Sequence, residues 1–266
     1  MKLFVLTGII LFLFILSAPP VFAEAYEIIS LCELNYPSDI NIEWECRKLK
    51  WGDTPKKLFG EYWLDVLRLN RLDRRHFIGG LSIKQPKRLE DIDGFTPMPL
   101  TFPDAAEEEK FILVDQSEMF LGAYEYGKLV FSLPITVGIE DHRVPNGEFR
   151  IDAVDLRHKS NLYPVEDMGI PYPMHYGLRF YVDKSVNGWP SYWIHGRDLP
   201  GYPASHGCIG LYDEEMQKEV YQVPKNVILE DAKLLYRWVV GSNADNGKFH
   251  KIEYGPRVLI IGDPPM

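Results

Sequence analysis

Beyond residue 110 the chain is a series of short apolar runs broken by turn residues. Phe111–Val114, Met119–Tyr124 and Leu129–Thr136 are apolar, aromatic or β-branched, and Tyr126-Gly127-Lys128 reads as the hairpin joining the last two. Phe149–Ile151, Leu178–Val182, Trp193–His195, Val227–Leu229 and Val258–Ile261 predict further strands. A helix capped by Asp213 is expected to run to about Tyr221, and a second to cover Ala232–Val240. Strands this short and closely spaced favour two packed sheets over an alternating α/β fold. The fold class is therefore mainly β with short helices (α+β), with a β-sandwich-like domain over 110–266. Pro164, Gly169, Pro171 and Pro173 predict irregular structure across Ala153–Met174.

Upstream the period changes. Glu45–Lys50 reads as a short strand, Gly52-Asp53-Thr54 as a turn with an N-cap, and Pro55 as a first helical residue. Trp63, Leu64, Val66, Leu67 and Leu69 share one helical face that Asn70 ends, and Gly79-Gly80 turns the chain into Leu81–Lys84, closed by Pro86. This strand–helix–helix–strand order over about 45–86, with Gly-Asp-Thr near its start, resembles a LysM module, which implies a small βααβ domain that binds N-acetylglucosamine-containing glycan. A small domain with a purely structural role is the other reading of the same pattern. The proline-punctuated, acidic stretch 87–109 reads as a linker.

Residues 1–23 have the form of a secretory signal: Lys2, an apolar run over Leu3–Leu16, and small residues at Val21-Phe22-Ala23 before Glu24. The run is short for a membrane span, although an uncleaved anchor stays open. Export changes how the three cysteines are read. In an oxidising compartment an odd number leaves one thiol over, and a Cys32–Cys46 disulfide within segment 24–86 leaves Cys208 free. The net charge of −9, with no concentrated basic run, argues against a nucleic-acid partner.

Cys208 is also where the chemistry gathers. Ser205-His206-Gly207-Cys208-Ile209-Gly210-Leu211 follows closely on Ile194-His195-Gly196-Arg197-Asp198. Nucleophilic thiol chemistry requires a thiolate, a base to form it and donors for an oxyanion. Cys208 supplies sulfur, His195 or His206 an imidazole, and the N–H groups of Gly207 and Cys208 the oxyanion donors. The rival reading is a zinc site made by His195, His206 and Cys208; no CxxC spacing accompanies it.

The segments IHGRD and SHGCIGL resemble the signature of the L,D-transpeptidase (YkuD-type) catalytic domain. Phe111–Asp115, Gly127-Lys128-Leu129 and Val144–Ile151 match the opening strand, GK hairpin and TPxGxFxI segment of that family in order. Gly210 departs from it, standing where the family usually has Arg or Asn. The resemblance implies a periplasmic, cell-wall-associated enzyme acting on peptidoglycan stem peptides and glycan strands, with no metal or organic cofactor. Cys208 would form a thioester with a tetrapeptide stem, release D-alanine and pass the acyl group to a diaminopimelate amine. It further implies acylation by carbapenem-type β-lactams and a lid formed by 153–174. His195 is the expected base, with the Gly196 carbonyl fixing its tautomer, while His206 and Ser205 organise the loop. Arg197 and Asp198 are expected to grip a zwitterionic stem centre, a surface ion pair between them being the other reading, and Tyr176 to line the groove or to pack as an aromatic under the lid. An L,D-carboxypeptidase using water as acceptor, or a catalytically silent wall-binding protein, fits the same residues.

Overall fold

A computed structural model of the chain describes residues 30–165, 168–241 and 247–265. The signal-like segment 1–23 lies outside the described residues. Among the described residues no helix is long and apolar enough to cross a membrane.

The N-terminal unit follows the expected order. Strand β1 (Trp44–Lys48) leads to helices α1 (Pro55–Phe59) and α2 (Trp63–Leu69) and then to β2 (Ser82–Pro86), which pairs antiparallel with β1. Pro55 opens α1 and the Thr54 side chain accepts from the Lys57 N–H at 3.3 Å, a local solution that needs no tertiary help. Cys32 and Cys46 form the expected disulfide, tying the lead-in segment to β1.

The remaining strands form two five-stranded mixed sheets that pack on one another without closing into a barrel. One contains β3 (Phe111–Asp115), β4 (Phe120–Glu125), β5 (Lys128–Pro134) and β6 (Gly147–Arg150). The other contains β7 (Ala153–Pro164), β8 (Pro171–Val182), β9 (Ser191–Arg197) and β10 (Ile209–Tyr212). Helices α3 (Glu214–Tyr221) and α4 (Asp231–Val240) follow, then β11 (His250–Lys251) and β12 (Arg257–Ile261). Spatial order is β5-β4-β3-β12-β6 in the first sheet and β10-β9-β8-β7-β11 in the second, with β3/β12 and β9/β10 parallel. Ile112, Val114, Leu133, Val154, Leu178, Ile194, Ile209 and Leu211 meet in the core that includes both sheets.

Three expectations change. The stretch 87–109 is packed cover rather than a linker: Met98 and Ala105 are buried with Phe111, Leu113, Phe120 and Tyr124, and the Phe102 N–H donates to Gly127 O at 2.7 Å. β3 is apolar on both faces because both are covered, its even residues by the opposite sheet and its odd ones by this segment. The stretch 153–174 is not irregular but mostly a long antiparallel ribbon of β7 and β8. Pro171 pairs with Pro164 at its far end, beyond the reach of β9, which contacts β8 only over Leu178–Val182, so the missing proline N–H groups interrupt no inner ladder. Finally, 227–229 forms no strand. The N–H groups of Ile228 and Leu229 donate instead to Glu214 Oε2, at 2.6 and 2.9 Å.

The N-terminal unit is fused to the sheets rather than tethered to them. Arg71, fully buried, donates from Nε to Glu118 O at 2.9 Å and pairs with the Glu118 carboxylate at 3.1 Å, its guanidinium 3.5 Å from the Tyr36 ring centroid. Leu72 bridges to Pro200, and Asp73 takes the Leu199 N–H at 2.7 Å.

Candidate active site

Parallel pairing of β9 and β10 sets Ile194 beside Ile209 and His195 beside Gly210. Side chains alternate across a strand, so Ile194, Ile209 and Leu211 enter the core while His195 and Arg197 lie on the other face. Cys208 immediately precedes β10 in the same alternation. Cys208, His195, His206 and Arg197 all line one cavity of about 680 Å³. Ser160 and Tyr163 of the β7–β8 ribbon, with Val165 just beyond β7, line part of it.

The imidazole of His195 is almost wholly buried, and its Nδ1 lies 2.7 Å from the Gly196 carbonyl. A carbonyl only accepts, so this contact makes Nδ1 the protonated nitrogen and leaves Nε2 as the acceptor. Burial drives the imidazole pKa down to about 3; the Gly196 bond works the other way, and the Arg197 charge adds to the fall. Burial also pushes the Cys208 thiol up, against the Trp193 backbone N–H and Arg197, which lower it. Burial thus favours the neutral form of both the thiol and the imidazole.

The loop before the thiol is fixed at several points. Ser205, buried, donates from Oγ to Cys208 O at 2.5 Å and accepts the Gly207 N–H at 3.3 Å. That N–H is thus occupied at rest. Gly207 has φ of 105°, a left-handed conformation that favours glycine, and a β-carbon there would come within 3.0 Å of the Tyr192 ring. The Ala204 N–H donates to Val137 O and the Ile139 N–H to Ser205 O, fastening the loop to the segment after β5. His206 stacks on Tyr163 with ring centroids 4.2 Å apart and lies 5.1 Å from His142.

The remaining expected residues divide. Arg197 lines the cavity, donates from Nη2 to Ala204 O at 2.6 Å, and has a buried Nε without a partner among the described residues. Gly210 explains how it fits: a β-carbon there would lie 2.8 Å from Arg197 Cβ and Cδ, so Arg197 occupies the space a side chain at 210 would need. Asp198 also lines the cavity, but its oxygens accept from Arg75, Gln217, Tyr172 and Tyr221. Tyr176 is not part of the groove. Its hydroxyl donates to Glu215 Oε2 at 2.6 Å and its ring packs near Tyr236, on the helix side of the sheet.

Arg75 and His76, from the loop after α2, line the cavity and were not expected there. The signal was a charged run, Asp73-Arg74-Arg75-His76, between apolar Leu72 and Phe77 that both prove buried. Asp73, His76 and Asp198 approach closely enough to suggest a cation site. Yet Asp73 already accepts from His76, Leu199 and Gln217, and Asp198 carries the Arg75 guanidinium. The cluster is complete as a hydrogen-bond network.

The YkuD family, described as the L,D-transpeptidase catalytic domain, matches residues 109–256. The chain belongs to this L,D-transpeptidase family. Its match takes in both halves of the cavity motif and most of the two sheets. Among solved structures, an L,D-transpeptidase from Stackebrandtia nassauensis is 17% identical, covering 77% of this chain and 69% of that one at a TM-score of 0.39. One from Xylanimonas cellulosilytica is 19% identical, covering 74% and 77%, at 0.39. An L,D-transpeptidase from Mycobacterium smegmatis is 13% identical, covering 58% and 59%, at 0.38. The chain thus spans about three fifths of the mycobacterial protein. No curated protein matches it.

Proposed function

We propose that this L,D-transpeptidase family member is a cysteine acyltransferase acting on peptidoglycan stem peptides. The observation that carries the reading is the Nδ1 contact of His195 with Gly196 O, which reserves Nε2 to take the thiol proton. As Cys208 Sγ attacks the scissile carbonyl, the proton passes to His195 Nε2 and negative charge gathers on the carbonyl oxygen. A low imidazole pKa suits transfer in the transition state followed by prompt release to the leaving amine. The Cys208 N–H, joined by the Gly207 N–H once it parts from Ser205, is the proposed oxyanion donor set. Collapse expels the amine and leaves a thioester. An acceptor amine then attacks it, His195 taking and returning a proton as before.

In the finer reading, the donor is a tetrapeptide stem, the leaving group D-alanine and the acceptor a diaminopimelate amine on a second stem. Carbapenem-type β-lactams would acylate the same thiol. Residues 1–23 act as a secretory signal, and the Cys32–Cys46 disulfide supports an extracytoplasmic, periplasmic location. The βααβ unit acts as a LysM-like glycan-binding module, supported by its strand–helix–helix–strand order. Domain limits are proposed at 24–86 and 110–266.

The test is to incubate the chain from Glu24 and a Cys208→Ala control with tetrapeptide-bearing muropeptides and read products by intact mass. A cross-linked dimer that has lost one D-alanine, absent from the control, is the expected result. Tripeptide alone would assign an L,D-carboxypeptidase, and no change in either sample would remove the acyl-transfer reading.

A further inference from the structure

Two guanidinium groups reach the thiol cavity from different parts of the fold, Arg197 from β9 and Arg75 from the loop between α2 and β2 of the N-terminal unit. Arg75 is held in place rather than loose. Its Nε donates to Asp198 Oδ1 at 3.2 Å, its Nη2 lies 3.0 Å from His76 Nε2, and its guanidinium carbon is 4.1 Å from the Tyr221 ring centroid. Asp198, in turn, accepts at Oδ1 from Gln217 at 2.9 Å and at Oδ2 from the hydroxyls of Tyr172 and Tyr221 at 3.0 and 3.2 Å. A carboxylate already holding four donors is a poor receptor for an incoming ammonium group.

The cavity offers donors instead. Among the described residues, the buried Arg197 Nε has no partner and Arg75 Nη1 has none either. A buried N–H left unpaired is unfavourable until a ligand supplies an acceptor, and the planar fork of a guanidinium matches a carboxylate. Arg197 and Cys208 line the same cavity, so an anion bound to Arg197 shares the space in which the thiol attacks.

We propose that Arg75 and Arg197 together bind the free C-terminal carboxylate of the acyl donor's leaving residue, with Asp198 as the positioning residue for Arg75. The inference rests on the acyl-transfer reading above. It replaces a zwitterion grip by Arg197 and Asp198 with an anion grip that spans both halves of the chain. It also makes the N-terminal unit a wall of the specificity pocket, so that only a terminal residue is removed.

The test measures binding apart from turnover. In the full chain carrying Cys208→Ala, calorimetry compares a stem tetrapeptide with its C-terminal carboxamide. The free acid is expected to bind at least about tenfold more tightly, a preference that falls to less than about threefold in Arg75→Gln and in Arg197→Gln and is partly restored in Arg75→Lys. Circular dichroism checks that each variant is folded. No acid preference in the parent chain, or a preference unchanged in folded Arg75→Gln and Arg75→Lys, overturns the proposal. Turnover of both peptides by the chain with Cys208 intact, without an acid preference, sinks the carboxylate site and spares acyl transfer. An acid preference in binding with no turnover does the reverse.

Discussion

Gly196 lies directly against the carboxylate of Asp213: a β-carbon at 196 would fall 2.1 Å from Asp213 Oδ2 and 2.6 Å from its Cβ. The residue whose carbonyl orients His195 therefore has no room for a side chain, and the obstacle is the buried cap of α3. Gly196→Ala should destabilise the fold by about 1–3 kcal/mol, the usual range for overpacking, and displace the imidazole. Urea denaturation and the rate of thioester formation measure the two effects. A variant as stable and as active as the parent would mean that α3 yields freely.

Asp213 itself is set against its surroundings. Burial raises its carboxyl to about 7, Oδ2 has no hydrogen-bond partner among the described residues, and His175 Nδ1 is 3.7 Å away. The folded chain holds this proton between pH 3.8 and about 7 while the unfolded chain releases it, so folding is disfavoured as pH rises through that window. Asp213→Asn keeps an oxygen to cap the Met216 N–H. It should be more stable than the parent at pH 8, with the gain fading below about pH 4. Parallel melts at the two pH values decide it.

A thiol whose neutral form is favoured by burial has a kinetic signature. Alkylation of Cys208 by iodoacetamide should keep rising with pH through and beyond the ordinary cysteine range, because burial raises the thiol pKa. A rate already level at pH 7 would show a thiolate–imidazolium pair instead. His195 adds an acid limb to stability. Unfolded, it takes a proton near 6.5, and folded only near about 3, so between these values the unfolded state binds more protons and stability falls as pH drops. The limit is about 1.4 kcal/mol per pH unit, and His195→Asn should flatten that limb in acid melts.

Arg71 joins the N-terminal unit to β3 and β4 through Glu118, with no exposed surface of its own. Arg71→Ala leaves the buried Glu118 carboxylate without its cation, still holding the Ser38 hydroxyl at 2.6 Å, and should cost about 3 kcal/mol. The parent chain should unfold in one cooperative transition observed equally by tryptophan fluorescence and by circular dichroism. Two separated transitions would show that the halves fold independently.

The sheets were legible because their strands satisfy period 2 or run apolar between turn residues, as β3, β4 and β12 do. The cysteine loop was legible because Ser205, Gly207 and Cys208 are adjacent and their contacts are local. What escaped depends on long-range pairing. Pro164 and Pro171 read as breakers, yet they face each other where nothing needs their N–H groups. Val227–Leu229 has strand chemistry, but the Glu214 carboxylate takes its amides before any neighbouring strand can. Asp198 beside Arg197 suggested a shared site, and only the fold reveals that its partner is Arg75, 123 positions earlier.

The seating of Leu72 on Pro200 and of Asp73 on Leu199 also bears on how such a chain can diversify. A module joined by a free tether can be exchanged for another without disturbing its neighbour. Here the loop after α2 and the segment from Asp198 to Pro200 are two sides of one joint, and grafting a different N-terminal unit would open the pocket at Arg75. The two parts must therefore be inherited, or redesigned, as a matched set.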